Sequence, residues 1–514
     1  MLRIEQIRDA ETLKQIAVLL ERENDKLHAK VQALTDELTR LRGGDAAAAT
    51  QRQLEFLKEL LAQRERALFA PSSEQRPRPD ASASTSLAPA APPRRGHGPK
   101  EQPELPTVVV RHELDEPDRM CPKCGGRLQP MPGQTEDAEE ITVVERRFVL
   151  LTHQRQKYRC ACNGCVDTAP GPRRLTTHPD ARGRRYSPTF AVEVAIGKYL
   201  DHLPLERQAR MMRREGLAVD SQTLWDRIEA LATVLQPTYE ALRQHVLAAP
   251  VIGADETWWR WLQGPGGKRW WAWSVTCADA VAYTILEHRS QEAARQVLNG
   301  YGGIVLADGY GAYDALARAG PRLTLAHCWA HVRRKFVEAE PHHPTPCGEG
   351  LDLIGQLYAV ERACPLAAPG ADAAEQTAAL EHRTALRAER SAPIVAELRA
   401  WAHRQRVLPE SSVGKAISYM LGLWPGLTRF LEDPRIPLDN NATERGLRGL
   451  VVGRKNHYGS RSKRGTEVAA LFYSLIESAK LCGVEPKAYL LQAVHAALTT
   501  PGTATLPHAL LPAA

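Results

Sequence analysis

Three acidic residues stand where a carboxylate could do chemistry. Asp255 lies within Val251-Ile-Gly-Ala-Asp-Glu-Thr-Trp-Trp259, Asp308 follows the apolar run Gly303-Ile-Val-Leu-Ala307, and Glu444 sits in Asn440-Asn-Ala-Thr-Glu-Arg445. The first two runs read as strands. The first returns through the turn Gln263-Gly-Pro-Gly-Gly-Lys268 into Arg269-Trp-Trp-Ala-Trp-Ser-Val-Thr276, a hairpin pattern. A third strand over Ala282–Leu286 and a helix over Ser290–Leu298 precede the run that ends at Asp308. Three antiparallel strands, a helix and a parallel strand would set Asp255 and Asp308 side by side. Adjacent carboxylates repel and raise one another's pKa, so the pair calls for a divalent cation between them, with Mg²⁺ the expected ion. Either aspartate alone would serve as well as a turn or cap residue. Glu444 has its own structural alternative, because Asn441 followed three residues later by a glutamate spells a capping box. Against that reading, residues 439–465 hold seven Arg/Lys and only Asp439 and Glu444 as acids, which fits a metal-binding carboxylate amid phosphate-binding cations.

Thiols supply a second chemistry. Five of the ten cysteines fall between Cys121 and Cys165, in the runs Cys121-Pro-Lys-Cys124 and Cys160-Ala-Cys162-Asn-Gly-Cys165, separated by strand-like segments. Two such knuckles present four thiolates to a tetrahedral Zn²⁺, and full occupancy by thiolate makes the ion structural. Spacing favours Cys121, Cys124, Cys162 and Cys165, with Cys160 as spare or alternate ligand. His327 and His331, four residues apart with Cys328 beside them, offer a further metal pair if helical. An alternative use of that segment, with Arg333, Arg334 and Lys335, is to hold DNA phosphates.

These groups need elements to place them. Leu13, Leu20, Leu27, Leu34 and Leu41 recur every seven residues, with Ala10, Ala17, Asn24, Val31 and Leu38 three before each. Such an a/d seam predicts a parallel coiled-coil dimer registered by Asn24. Gly43-Gly44 ends it, and a second helix is expected over Thr50–Phe69. Nine prolines between Pro71 and Pro106 mark an extended linker, whose Arg94, Arg95 and Lys100 are free to touch phosphates. Further on, Leu205–Glu215, Gly216–Asp220 and Ser221–Leu231 read as helix, turn and helix, with Ser221 as N-cap. A helix-turn-helix would bring Ser221, Gln222, Thr223 and Arg227 to DNA. Residues 341–410 read as a helical insertion. Six of the ten tryptophans lie between Trp258 and Trp273, most of them core, one or two exposed for stacking on bases.

The expected architecture is therefore multidomain α+β. A coiled-coil region spans 1–70, a Pro-rich linker 71–106, a zinc ribbon 107–180 and a helix-turn-helix-like helical region 181–250. A ribonuclease-H-like α/β catalytic domain with the helical insertion spans 251–480, and a helical segment 481–514. At 514 residues the chain is too long for a single core, and 43% hydrophobic with 25% charged residues excludes wholesale disorder or a disulfide miniprotein. A net charge of +7 permits nucleic acid as a partner. No apolar run is long enough to span a membrane and the first residues lack a signal-peptide plan, so the expectation is a soluble, cytoplasmic, nucleoid-associated protein with no membrane partner.

Taken in order, the heptad helix, Leu68-Phe-Ala-Pro-Ser-Ser-Glu74, the cysteine knuckles, Asp255-Glu-Thr, Asp308-Gly-Tyr, Cys328-Trp-Ala-His-Val-Arg-Arg-Lys-Phe and Asn440-Asn-Ala-Thr-Glu-Arg resemble the bacterial insertion-sequence-66 transposases. The resemblance covers about residues 10–490 and departs at the second knuckle, which carries an extra cysteine. It implies a DDE triad of Asp255, Asp308 and Glu444 holding two Mg²⁺ for strand cleavage and strand transfer, on DNA that includes both the element's ends and the target. Arg227, Arg333, Arg334, Lys335, Arg445, Arg448, Arg454 and Lys455 are the expected DNA contacts. Family elements also encode accessory proteins, which the resemblance makes possible partners. Two other functions fit the residues: a non-catalytic zinc and helix-turn-helix DNA-binding protein, or a nuclease that cuts without strand transfer. Replacing Cys121 and Cys124 together by Ser is expected to lower the zinc content of the purified protein by one equivalent per chain; unchanged metal analysis would remove the knuckle assignment.

Overall fold

The computed structural model describes residues 26–37, 50–60, 123, 125, 127, 148–159, 166–175, 186–263, 269–320, 322–367 and 371–510. The chain divides into two compact units, residues 70–146 and the remainder. In the first unit only three residues are described, and all five knuckle cysteines lie outside the described residues. So do the linker, Asn24 and most heptad leucines. Residues 26–37 are helical, with Leu27, Val31 and Leu34 less exposed than their neighbours.

In the larger unit β1 (Lys157–Arg159) and β2 (Val166–Thr168) pair antiparallel, and a five-stranded sheet has the order Val281–Leu286 (β5), Arg269–Thr276 (β4), Val251–Arg260 (β3), Ile304–Ala307 (β6) and Thr324–His327 (β7). Strands β3, β4 and β5 run antiparallel; β6 and β7 add in parallel to β3. Parallel strands require a crossover, and the helix Gln291–Leu298 supplies it between β5 and β6, started by Ser290, whose hydroxyl accepts from the Ala293 N–H at 3.3 Å. The edge strand β5 is covered by the helix Lys463–Leu481. Ser474 and Ser478, one turn apart, accept from the N–H groups of Tyr283 and Val281 at 2.8 and 2.9 Å, so donors that an open edge would leave bare are satisfied. The core between sheet and helices includes Trp259, Trp273 and Tyr283, all at most 1% exposed. Trp258 stays 40% exposed.

The helix-turn-helix-like stretch is present as Leu205–Arg214 and Ser221–Ala248, but two expectations need correction. The N-cap is Asp220, whose carboxylate accepts from the Thr223 N–H at 2.6 Å, and the second helix continues through Pro237 for 28 residues. Its inner face is core. Arg227 is only 7% exposed and its guanidinium lies 5.9 Å from the Tyr186 ring centroid, so it is enclosed by the helix's own packing. The insertion between β7 and the Glu444 segment is likewise longer than read, with helices from Pro344 to Thr428 around a second core that includes Trp401, Met420 and Phe430. Glu59, in the helical residues 50–60, docks there. It is 2% exposed and its carboxylate accepts from the Ser412 N–H at 2.9 and 3.0 Å.

The helix Asn441–His457 starts hard against the sheet. Asn440 Nδ2 donates to the Ala254 carbonyl at 2.9 Å, and a Cβ added to Gly253 would collide with Thr443 Oγ1 and Asn440 Oδ1. Only a residue with no side chain lets that helix start so close to β3. Gly253→Ala is therefore expected to destabilise the protein by about 1–3 kcal/mol in urea denaturation, the ordinary cost of overpacking. A stability equal to the parent would show that the approach is not tight.

Candidate metal and phosphate site

Register brings the aspartates together. β3 and β6 pair in parallel, Gly253 opposite Leu306, so Asp255 and Asp308 each lie two residues beyond that pair. Asp255 Oδ1 accepts from the Glu256 N–H at 2.8 Å, and Asp308 Oδ1 accepts from the Tyr310 N–H at 2.9 Å. Between Asp308 and Tyr310 the chain turns through Gly309, whose φ of 91° is open to glycine and strained for other residues. The Tyr419 hydroxyl, from the helical insertion, donates to the Asp308 carbonyl at 2.5 Å. The insertion thus fixes one corner of the site.

Glu444 arrives in the first turn of its helix. The capping-box alternative does not occur: the N-cap is Asn440, whose side chain makes no cap hydrogen bond. Instead the Glu444 carboxylate faces the helix Trp329–Ala339, with Oε1 3.5 Å from His331 Nε2 and Oε2 3.5 Å from Arg334 Nη2. Oε1 is buried with no hydrogen-bond partner. Cys328, the N-cap of that second helix, accepts on Sγ from the Asn440 N–H at 3.2 Å, and the Trp329 N–H donates to the Leu438 carbonyl at 3.1 Å. These bonds tie the two helix starts together. Ligand atoms of Cys328, His331 and Glu444 come within 4.8 Å of one another. His327 does not join that group.

Burial, together with like-charge repulsion from Glu256, Asp308 and Glu444, pushes the Asp255 carboxyl up to about 7. A buried acid held partly protonated beside two other carboxylates, one with an orphaned oxygen, is the environment a divalent cation relieves. The residues present fit such an ion. Sequence reasoning missed Glu256, although it sits in the same motif. Its side chain is 1% exposed, bonded by Arg289 at 2.6 and 2.7 Å and by the Tyr313 hydroxyl at 3.0 Å, and burial still raises its pKa. Arg289 is itself held over the Tyr310 ring, 3.9 Å from its centroid. Glu256 is therefore a compensated charge beneath the site; its position after Asp255 was the available signal.

The expected DNA contacts divide. Arg333, Arg334 and Lys335 on one helix and Arg445, Arg448 and Lys455 on the other are exposed. Arg454 is not: it is 6% exposed, its guanidinium lies 3.7 Å from the Trp258 ring centroid, and it donates to the Thr257 hydroxyl at 3.2 Å and to the Trp258 carbonyl. Arg454 holds the hairpin against the helix and Arg227 is packed in the core, so neither is available to phosphates in this structure.

Acidic side chains at the ends of β3 and β6 thus stand near two helices whose exposed faces are basic. Residues 183–468, more than half of the chain, match the family described as "Transposase IS66 family", and residues 118–163 match the zinc-finger binding domain of transposase IS66. The chain belongs to this transposase family. The first match contains Asp255, Asp308 and Glu444; the second contains Cys121, Cys124, Cys160 and Cys162 and ends before Cys165. The chain is also similar to two uncharacterized proteins of Sinorhizobium fredii. One, y4jD, is 32% identical over 409 residues, 75% of this chain and 76% of the relative. The other, y4hP, is 28% identical over 490 residues, 90% of this chain and 85% of the relative. No described helix is long and apolar enough to cross a membrane.

Because the folded protein disfavours an ionised Asp255, this group costs nothing below its ordinary pKa of 3.8, and the penalty grows as pH rises through about 7. Metal-free protein should accordingly lose on the order of a few kcal/mol from this group between pH 4 and pH 8. Asp255→Asn should raise the melting temperature at pH 8 and leave it nearly unchanged at pH 4, while Mg²⁺ should stabilise the parent at pH 8 more than the variant. Equal pH dependence in parent and variant would contradict the shift.

Proposed function

We propose that the protein is a DNA transposase that binds the ends of an insertion sequence and carries out divalent-metal-dependent strand cleavage and strand transfer at Asp255, Asp308 and Glu444. What supports this reading is that Asp308 and Glu444, from distant segments, both act electrostatically on Asp255, which is pushed up to about 7, and that Glu444 Oε1 is buried without a hydrogen-bond partner. We read the five-stranded order as a ribonuclease-H-like domain interrupted by the helical insertion.

Asp255, Asp308 and Glu444 would hold Mg²⁺, in the two-ion form. When bound there, the metal supplies Lewis-acid stabilisation of charge developing on phosphoryl oxygens and generates a nucleophile from water or a 3′-hydroxyl. Before loading, Asp255 shares its charge with a proton near neutral pH. Its Oδ1 accepts the Glu256 N–H bond, which holds the carboxyl in place. His331 and Arg334 flank the Glu444 carboxylate and orient it. Arg333, Lys335, Arg445, Arg448 and Lys455 are placed to bind phosphates and set the register of the strand, contacts that position without specifying sequence. In this reading zinc is held by Cys121, Cys124, Cys162 and Cys165, with Cys160 as alternate, the heptads of the first 42 residues pair two chains, and accessory proteins join the assembly.

The test is cleavage of DNA carrying the element's ends in Mg²⁺. Asp255→Asn, Asp308→Asn and Glu444→Gln should each keep end binding and lower cleavage on the order of a thousandfold, with a double substitution costing little more than a single one. Near-normal cleavage by Glu444→Gln would move the third carboxylate elsewhere. Cleavage without joining by the parent would leave a nuclease, and binding without either a DNA-binding regulator.

A further inference from the structure

A second set of metal-ligating side chains gathers around the tight turn that joins β4 to β5. Three segments far apart in sequence supply it. His245 comes from the last turn of the long helix Ser221–Ala248, Cys277 and Asp279 from the turn itself, and His508 from the short 3₁₀ turn Pro507–Leu510. His245 Nε2 lies 2.9 and 3.0 Å from the two Asp279 carboxylate oxygens, Cys277 Sγ lies 3.1 Å from Oδ1, and His508 Nδ1 lies 3.5 Å from Oδ2. Ligand atoms of His245, Cys277 and Asp279 all fall within 4.8 Å of one another. The His245 and His508 rings stack with centroids 4.3 Å apart, and His508 Nδ1 is buried with no hydrogen-bond partner. Cys482 Sγ donates to the Asp279 carbonyl at 3.2 Å, which fixes the turn from a fourth segment.

We propose that His245, Cys277, Asp279 and His508 form a structural zinc site, separate from the cysteine knuckles, that fastens the Pro507–Leu510 turn to the β4–β5 turn and to the end of the long helix. Two imidazoles, a thiolate and a carboxylate are the nitrogen, sulfur and oxygen donors that Zn²⁺ takes in tetrahedral sites. With bonds of about 2.0–2.3 Å, tetrahedral ligands stand roughly 3.3–3.8 Å apart, close to the 2.9–3.5 Å that separates each of the other three donors from an Asp279 oxygen, while His508, outside the group of ligand atoms within 4.8 Å of one another, closes on the ion by a side-chain shift. In a hydrogen-bonded cluster without metal, one carboxylate takes all the donors and leaves His508 Nδ1 unused; a shared cation uses every donor once. The side chains of His245, Asp279 and His508 are 31%, 24% and 33% exposed, so an ion can enter from solvent. On binding, Cys277 joins as thiolate and its proton passes to solvent, a step that requires no oxidant or reductant. Four protein donors leave no open position, so the site is a staple.

The experiment uses the full chain, loaded with Zn²⁺ and freed of excess metal by gel filtration, with zinc counted per chain. Cys277→Ser keeps a donor to Asp279 and the shape of the turn, and His245→Ala serves as the second variant. Each should lower zinc by one equivalent, both in the parent and in a background in which Cys121 and Cys124 are already Ser. Cobalt(II) added to that background should give a sulfur-to-cobalt charge-transfer band that vanishes with Cys277→Ser. Zinc counts unchanged by both substitutions, or no Cys277-dependent cobalt band, would overturn the proposal and leave a metal-free hydrogen-bond cluster.

Discussion

Like charges held together in a partly buried place govern this structure. Asp255 on β3, Asp308 just past the end of β6 and Glu444 on a helix that starts 134 residues after β6 ends carry like charges that repel. The fold resists that repulsion by geometry. β3 and β6 fix the first two by register, and the glycine at 253 lets the Asn441–His457 helix come down on the strand. Asn440 then bonds both to the Ala254 carbonyl and, through its N–H, to Cys328 Sγ. The insertion braces the other side through Tyr419. The result is a cluster of acidic side chains held by the fold, and in the proposed function a cation would relieve their repulsion.

The basic residues sort by whether the fold has already used them. Arg289 is spent on Glu256, Arg454 on Trp258 and the backbone beside it, and Arg227 on the packing under Tyr186. The expected DNA contacts that remain exposed lie on the two helices that flank Glu444. Arg334, close enough to touch that carboxylate and still 44% exposed, links the two populations. In the proposed function its guanidinium would neutralise Glu444 before metal binds and turn toward a phosphate afterwards.

Much of the site was legible from local pattern. Asp255 and Asp308 follow apolar runs of strand length and composition, so their place at neighbouring strands could be argued from period and topology alone. Glu444 was harder, since a capping box and a ligand share one spelling; what separates them is whether a second helix faces the carboxylate, and no local pattern carries that. The buried arginines were misread for a related reason. A guanidinium under Tyr186 or Trp258 looks, in sequence, the same as one on a helix surface. Glu256 was overlooked because its partner Arg289 lies a strand and a hairpin away. His245, Cys277, Asp279 and His508 were invisible, because 263 residues separate the first from the last and only tertiary packing brings them together.

The most direct test of the central claim, that three distant carboxylates share one cation site, is iron-directed cleavage of the chain. Fe²⁺ with ascorbate, loaded into the protein in place of Mg²⁺, generates radicals that cut backbone only close to the ion. The account predicts three clusters of cuts, near residues 255, 308 and 444, all suppressed together by Mg²⁺. Cuts near Asp255 and Asp308 with none near Glu444, or cuts that Mg²⁺ does not suppress, would contradict it.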